Sequence, residues 1–210
     1  MRLIYFPHRL GQTKFGVEKT PDYFKRMTLN PFVDVQCSNN LRFKQENLIK
    51  NLRNLYTVNS RIGGEKINIG GDHSMAIATV ADSLNRVKQN DLKLLWFDAH
   101  PDINTYNASE TKNYHGMPLA YLSGLCTNPY FNFISNTLNP QNILYIGIRS
   151  IDYFEHKIIK KYNISYISCQ EANENPEETF QKIDNFIEDK PIHLSFDVDC
   201  MDPSIIPCTG

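Results

Sequence analysis

Short apolar runs recur along the chain, separated by longer polar, helix-permissive stretches. Read as strands, the runs are Arg2–Phe6, Lys66–Ile69, Lys93–Phe97, Asn142–Ile146, Ile164–Ile167 and Ile192–Phe196. The stretches between them predict helices over Phe43–Tyr56, Met75–Gln89, Ser150–Tyr162 and Pro176–Asp189. Glu177 and Glu178 fall in the first turn of the last helix, where the helix dipole favours acids. Strands alternating with helices imply βαβ units: an α/β, three-layer fold with a central, mostly parallel β-sheet flanked by helices. Loops are expected at Gly11–Gly16, Arg61–Gly64 and Asp102–Tyr114. The third is the one that long ordered loops make interesting, because in compact domains they usually carry function.

In open α/β sheets ligands bind beyond the carboxyl ends of the strands. Three strand ends here carry unusual chemistry. Lys66–Ile69 runs into Gly70-Gly71-Asp72-His73, Lys93–Phe97 into Asp98-Ala99-His100-Pro101-Asp102, and Ile192–Phe196 into Asp197-Val198-Asp199. In extended chain, residues i, i+2 and i+4 project to one side, so Asp98, His100 and Asp102 are expected on one face, with Asp197 and Asp199 repeating the pattern. Like charges desolvated together demand a compensating cation or a raised pKa. Four carboxylates and two imidazoles at three strand ends are too many for one tetrahedral zinc, but they suit two bridged ions. Oxygen ligands with some imidazole fit Mn²⁺ and, less exclusively, Zn²⁺, Fe²⁺ or Co²⁺.

Composition acts mainly by exclusion. A net charge of −1 supplies no basic field for nucleic acid or an anionic membrane. No apolar run approaches about 18 residues, and MRLIYFPHRL is too short and polar for a signal peptide. Cys37, Cys126, Cys169, Cys200 and Cys208 are scattered and odd in number, which implies reduced packing thiols in a cytoplasmic compartment. Hydrophobic content of 41% in 210 residues is enough for one ordinary core, so residues 1–210 are expected to form a single domain.

The blocks Gly70-Gly71-Asp72-His73-Ser74, Asp98-Ala99-His100-Pro101-Asp102 and Ser195-Phe196-Asp197-Val198-Asp199-Cys200-Met201-Asp202-Pro203 closely resemble the three signatures of the ureohydrolases, which include arginase, agmatinase and formimidoylglutamase. Gly16-Val17-Glu18 and Pro21 extend the resemblance toward the start. The resemblance implies two Mn²⁺ per subunit, one held by His73, Asp98, Asp102 and Asp197, the other by His100, Asp98, Asp197 and Asp199. Asp98 and Asp197 would bridge, and a metal-bridging hydroxide would attack a guanidinium carbon, with Asp102 and His115 in the catalytic set.

The loop after the second block points within the family to arginase. Asp102-Ile103-Asn104-Thr105 resembles the arginase form, and His115-Gly116 lies 17 residues after Asp98, the arginase spacing. In that register Asn104, Ser109, Thr111 and Asn113 align with donors to a substrate α-carboxylate, and all four are competent donors. Gly147-Ile148-Arg149-Ser150-Ile151-Asp152-Tyr153-Phe154-Glu155 resembles a further arginase block. It implies that Asp152 contacts an α-amino group and that Glu155 supports it; Ser150 replaces the usual Asp. His115 aligns with an active-site histidine able to move protons. His8, His156 and His193 match nothing and read as structural or surface residues.

The resemblance also implies further chain after Gly210, including a central strand and a glutamate that grips the guanidinium. The expectation is therefore an arginase-type domain truncated at its C-terminus, with a small-molecule guanidino substrate and, if complete, a homo-oligomer.

Overall fold

The computed structural model describes residues 1–28 and 30–207. Cys208, one of the expected packing thiols, lies outside the described residues. The chain runs through β1 (Arg2–Phe6), α1 (Thr20–Met27), β2 (Phe32–Asp34), α2 (Lys44–Arg61), β3 (Lys66–Gly70), α3 (Ala76–Arg86) and β4 (Lys93–Phe97). It continues through α4 (Pro118–Leu122), β5 (Ile143–Ile148), α5 (Tyr153–Tyr162), β6 (Ser165–Ser168), α6 (Cys169–Glu174), α7 (Pro176–Ile187) and β7 (Ile192–Phe196). Every strand pairing is parallel, and helices lie between the strands as expected of an α/β fold.

The expected central sheet is present in two parts, ordered β2-β1-β3 and β6-β5-β4-β7. Its most apolar strands, β4 and β5, lie inside the second part and are buried almost throughout, as parallel strands covered on both faces must be. One large core joins both parts on one face. Ile4 and Phe6 of β1, Leu94 and Trp96 of β4, and Ile143 and Tyr145 of β5 pack there against Leu48, Leu52 and Leu55 of α2 and Ile77, Val80 and Leu84 of α3. A smaller cluster of Leu95, Leu144, Ile146, Ile167 and Ile183 sits on the opposite face under α6 and α7.

β3 and β7 are the edges that face away from their own sheets, and α3 is anchored to both. Lys66 of β3 pairs with Asp82 of α3, and His193 Nδ1 of β7 lies 2.8 Å from Ser83 Oγ of the same helix. On the opposite face β7 leaves Ile192, Leu194 and Phe196 about half exposed, and β3 leaves Ile67 exposed.

Several boundaries differ from the sequence expectation for local reasons. α5 begins at Tyr153 rather than Ser150, because Asp152 is its N-cap and forms a reciprocal capping box with Glu155. It stops at Asn163, which takes a left-handed φ of 52°. α1, β2, α4 and α6 were not foreseen. No helix among the described residues is long and apolar enough to cross a membrane.

Candidate metal centre

The three motif-bearing segments converge at the carboxyl ends of β3, β4 and β7. After β3 the chain turns at once: the Asp72 side chain accepts from Ser74 N at 3.0 Å, starting a 3₁₀ turn at His73 that feeds α3. Gly71 permits this turn, since a Cβ there would lie 1.7 Å from the His8 carbonyl oxygen. After β4, Asp98 Oδ1 accepts from His100 N at 2.7 Å, and Asp102 adopts a left-handed φ of 48°. After β7, Asp197 Oδ1 accepts from Asp199 N at 3.0 Å and starts another 3₁₀ turn.

These details correct one expectation. The i, i+2, i+4 convergence does not come from strand alternation, because the strands end at Phe97 and Phe196. Tight carboxylate-capped turns gather the side chains instead, and a strained backbone at Asp102 aims its carboxylate back to the cluster.

His73 Nδ1 lies 2.9 Å from Asp98 Oδ2, 3.1 Å from Asp102 Oδ2 and 3.3 Å from Asp197 Oδ2. His100 Nδ1 lies 3.1 Å from Asp199 Oδ2 and 3.5 Å from Asp98 Oδ1. Two groups of ligand atoms result, His73/Asp98/Asp102 and Asp98/His100/Asp199, sharing Asp98. Asp197 adjoins the first group through His73. All six residues expected to ligate are thus brought together.

The electrostatics are those of a site built for cations. Burial disfavours a charged His73, yet the carboxylates of Asp102, Asp197 and Asp98 outweigh it and raise its pKa well above the ordinary imidazole value. Bonding to Asp199 and Asp98 pushes His100 up to about 10. Burial and the neighbouring Asp98 charge hold Asp102 well above the carboxylate range. Burial also acts against ionised Asp197 and Asp199, but His73 and His100 prevail and lower both. Without an ion, protons on His73 and His100 would supply the counter-charge to these carboxylates.

Hydrogen-bond geometry distinguishes a cation site from a protonated cluster. His73 Nδ1 and Asp98 Oδ2 are buried and, despite their proximity, neither has a well-directed hydrogen bond. Buried polar atoms left this way need a partner. The other ring nitrogen, Nε2, lies 2.8 Å from Ser195 Oγ, and the ring stacks on Trp96 at 4.1 Å. With a divalent ion in place of the Nδ1 proton, a proton on Nε2 donated to Ser195 would leave the Nδ1 lone pair to ligate beside the three carboxylates. The residues fit an oxygen-rich two-ion site with one imidazole on each ion.

Sequence comparison agrees with this geometry. The family model described as Arginase family matches residues 7–210. The chain belongs to the arginase family. Among its relatives, the arginase of Entamoeba histolytica is 34% identical over 230 residues, covering 99% of this chain and 78% of that protein. The crystal structure of that arginase in complex with L-ornithine superposes with a TM-score of 0.88 at 27% identity, covering 97% of this chain and 77% of that one. The arginase of Bacillus subtilis superposes with a TM-score of 0.84 at 26% identity, covering 100% and 78%. The arginase-type α/β fold and a hydrolase lineage follow.

The residues expected around an arginase substrate fall into three groups. Asn104 and Asp152 touch directly, the Asn104 amide donating to Asp152 Oδ2, and Asn104 Oδ1 is buried without a partner. Ser109 and Thr111 accept from Lys112 N at 3.1 Å and Asn113 N at 3.3 Å, so they and Asn113 brace their own loop. Glu155 accepts from Ile103 N and Asp152 N, both at 3.2 Å. Burial and the Asp152 charge raise its carboxyl to about 7. The His115–Gly116 turn lies beside the ligands, where a Cβ on Gly116 would be 3.9 Å from Asp102 Oδ1.

Sequence reading gave no role to Ser195, Trp96 or Arg149. Arg149 donates to the Asp199 carbonyl, and its backbone N–H donates to Ala99 O at 3.0 Å. Ser195 was legible in principle, since it precedes Asp197 by two on the same strand end. The roles of Trp96 and Arg149 depend on contacts across strands.

Proposed function

We infer that the site holds two manganese ions and hydrolyses the guanidino group of L-arginine to L-ornithine and urea. The observation that carries this reading is the shared Asp98 between two imidazole-containing ligand groups, with buried ligand atoms facing one another. His73, Asp98, Asp102 and Asp197 would hold one ion, and His100, Asp98, Asp197 and Asp199 the other. When bound, the pair supplies a water of lowered pKa as nucleophile.

The chain's own residues do the rest. Asp152 offers a carboxylate to an α-ammonium, and Asn104, already bonded to it, presents an unpartnered oxygen beside it. Ser109, Thr111 and Asn113 are the candidate contacts to an α-carboxylate, and Glu155 holds Asp152 by its backbone rather than meeting substrate. Burial lowers the pKa of His115, so at neutral pH its imidazole is the basic form and can accept and pass on a proton. An oligomer of like chains fits this reading.

The test is hydrolysis by the manganese-loaded chain, read as urea release from L-arginine and agmatine and as formamide release from formimidoylglutamate. Polar groups arranged for an α-carboxylate and α-ammonium discriminate against substrates lacking them, by about 10⁴ where the contacts are buried. L-arginine is expected to be preferred, and Asp152→Ala to reduce that preference. Equal turnover of agmatine would overturn the substrate, and bound metal without urea release would overturn catalysis.

A further inference from the structure

The Asp72 carboxylate is buried and bonds in two directions. One oxygen accepts from Ser74 N at 3.0 Å and from the Ser74 hydroxyl, closing the turn that carries His73. The other accepts from Gly11 N at 2.9 Å, across 61 residues of sequence. The same loop is tied again by Asp72 N donating to the His8 carbonyl at 3.1 Å. Gly11 is held so closely that a Cβ would come within 2.2 Å of Asp72 Oδ1.

Gly11 then passes the constraint on. Its carbonyl accepts from His115 N at 3.1 Å, and the following Gly116 carbonyl accepts from Asn104 N at 3.1 Å. His8 backs the arrangement from behind. Its Nδ1 meets the Asn51 amide at 3.0 Å, leaving Nε2 to face Asp72 Oδ2 at 3.9 Å. A continuous path thus runs from the His73 turn through Asp72 and Gly11 to the His115 turn and on to the Asn104 segment.

We propose that Asp72 is a positioning residue that fixes His115 against the metal ligands by clamping the Gly11 loop onto the His73 turn. It touches no reacting atom. An aspartate is needed because the two oxygens must both accept: asparagine would turn an N–H toward either Gly11 N–H or Ser74 N–H. The role assigned to His115 rests on the arginase reading above, whereas the clamp rests on geometry alone.

The experiment is Asp72→Asn in the manganese-loaded 210-residue chain, read by metal content, hydrogen exchange and urea kinetics. Losing one buried hydrogen bond corresponds to about tenfold in local opening or positioning. The expected result is retention of the same manganese content as the unaltered chain, about tenfold faster amide exchange at Gly11 and His115, and a fall in kcat with KM little changed. The double variant with His115→Asn should lose no more activity than His115→Asn alone, because both act through one group. Unchanged exchange at His115, loss of manganese, or losses that multiply in the double variant would each overturn the clamp. Gly11→Ala attacks the same tether from the other side and is expected to give the same exchange and kinetic pattern. If the unaltered chain releases no urea, the arginase reading fails, while the exchange measurement still decides the clamp.

Discussion

Ser195→Ala tests whether His73 is tuned as a ligand from behind. The Ser195 hydroxyl lies 2.8 Å from His73 Nε2, and the opposite nitrogen, Nδ1, faces Asp98, Asp102 and Asp197. Removing the hydroxyl takes away a hydrogen bond with a net worth of about 1 kcal/mol and leaves a ring N–H unsatisfied, a further penalty of about 1–3 kcal/mol if water stays out. Ser195 is only partly buried, so water can replace part of the loss and the low end applies. The tautomer also loses its anchor, and outer-shell changes of this kind typically weaken metal binding by about 10–100-fold. An effect near tenfold, about 1.4 kcal/mol, is therefore expected on the ion that His73 would hold. The assay is manganese titration followed by calorimetry or by the electron paramagnetic resonance of free Mn²⁺, with thermal unfolding of the metal-free protein as control. Manganese affinity equal to that of the unaltered chain would refute the assigned tautomer and the lone pair it aims at the carboxylates.

Metal binding should release protons and strengthen with pH. His100 is pushed up to about 10, and His73 and Asp102 are held well above their ordinary values, yet all three must be deprotonated to ligate, so below those values affinity rises by about tenfold per pH unit for each proton displaced; calorimetry in buffers of different ionisation enthalpy counts the protons. The edges of β3 and β7 that no strand pairs among the described residues, with Leu194 and Phe196 half exposed, should drive self-association. Leu194→Lys is expected to shift sedimentation profiles toward smaller species without changing manganese content.

Much of this was legible in the sequence because it follows from periodicity and from chemistry at strand ends. The strands Arg2–Phe6, Lys93–Phe97 and Ile192–Phe196 have the expected bounds, since their apolar runs end sharply at Pro7, Asp98 and Asp197. β2 was not, because three residues with largely exposed side chains leave no pattern. Nor was α4, whose five residues are too few to show a period. The six candidate ligand positions stand out by residue type and spacing, whereas the way they converge does not. That convergence depends on the left-handed backbone at Asp102 and the turns capped by Asp72, Asp98 and Asp197, which are tertiary choices. Glu155 illustrates the same limit: its position in the motif is readable, but only the fold shows its oxygens committed to Ile103 N and Asp152 N.

The central claim is two ions sharing Asp98, and anomalous scattering at the manganese edge from crystals of the manganese-loaded chain tests it most directly. The account predicts two peaks about 3.5–4 Å apart, one against His73 and Asp102 and the other against His100 and Asp199, with His100→Asn removing the second. A single peak, or none at these residues, would contradict it.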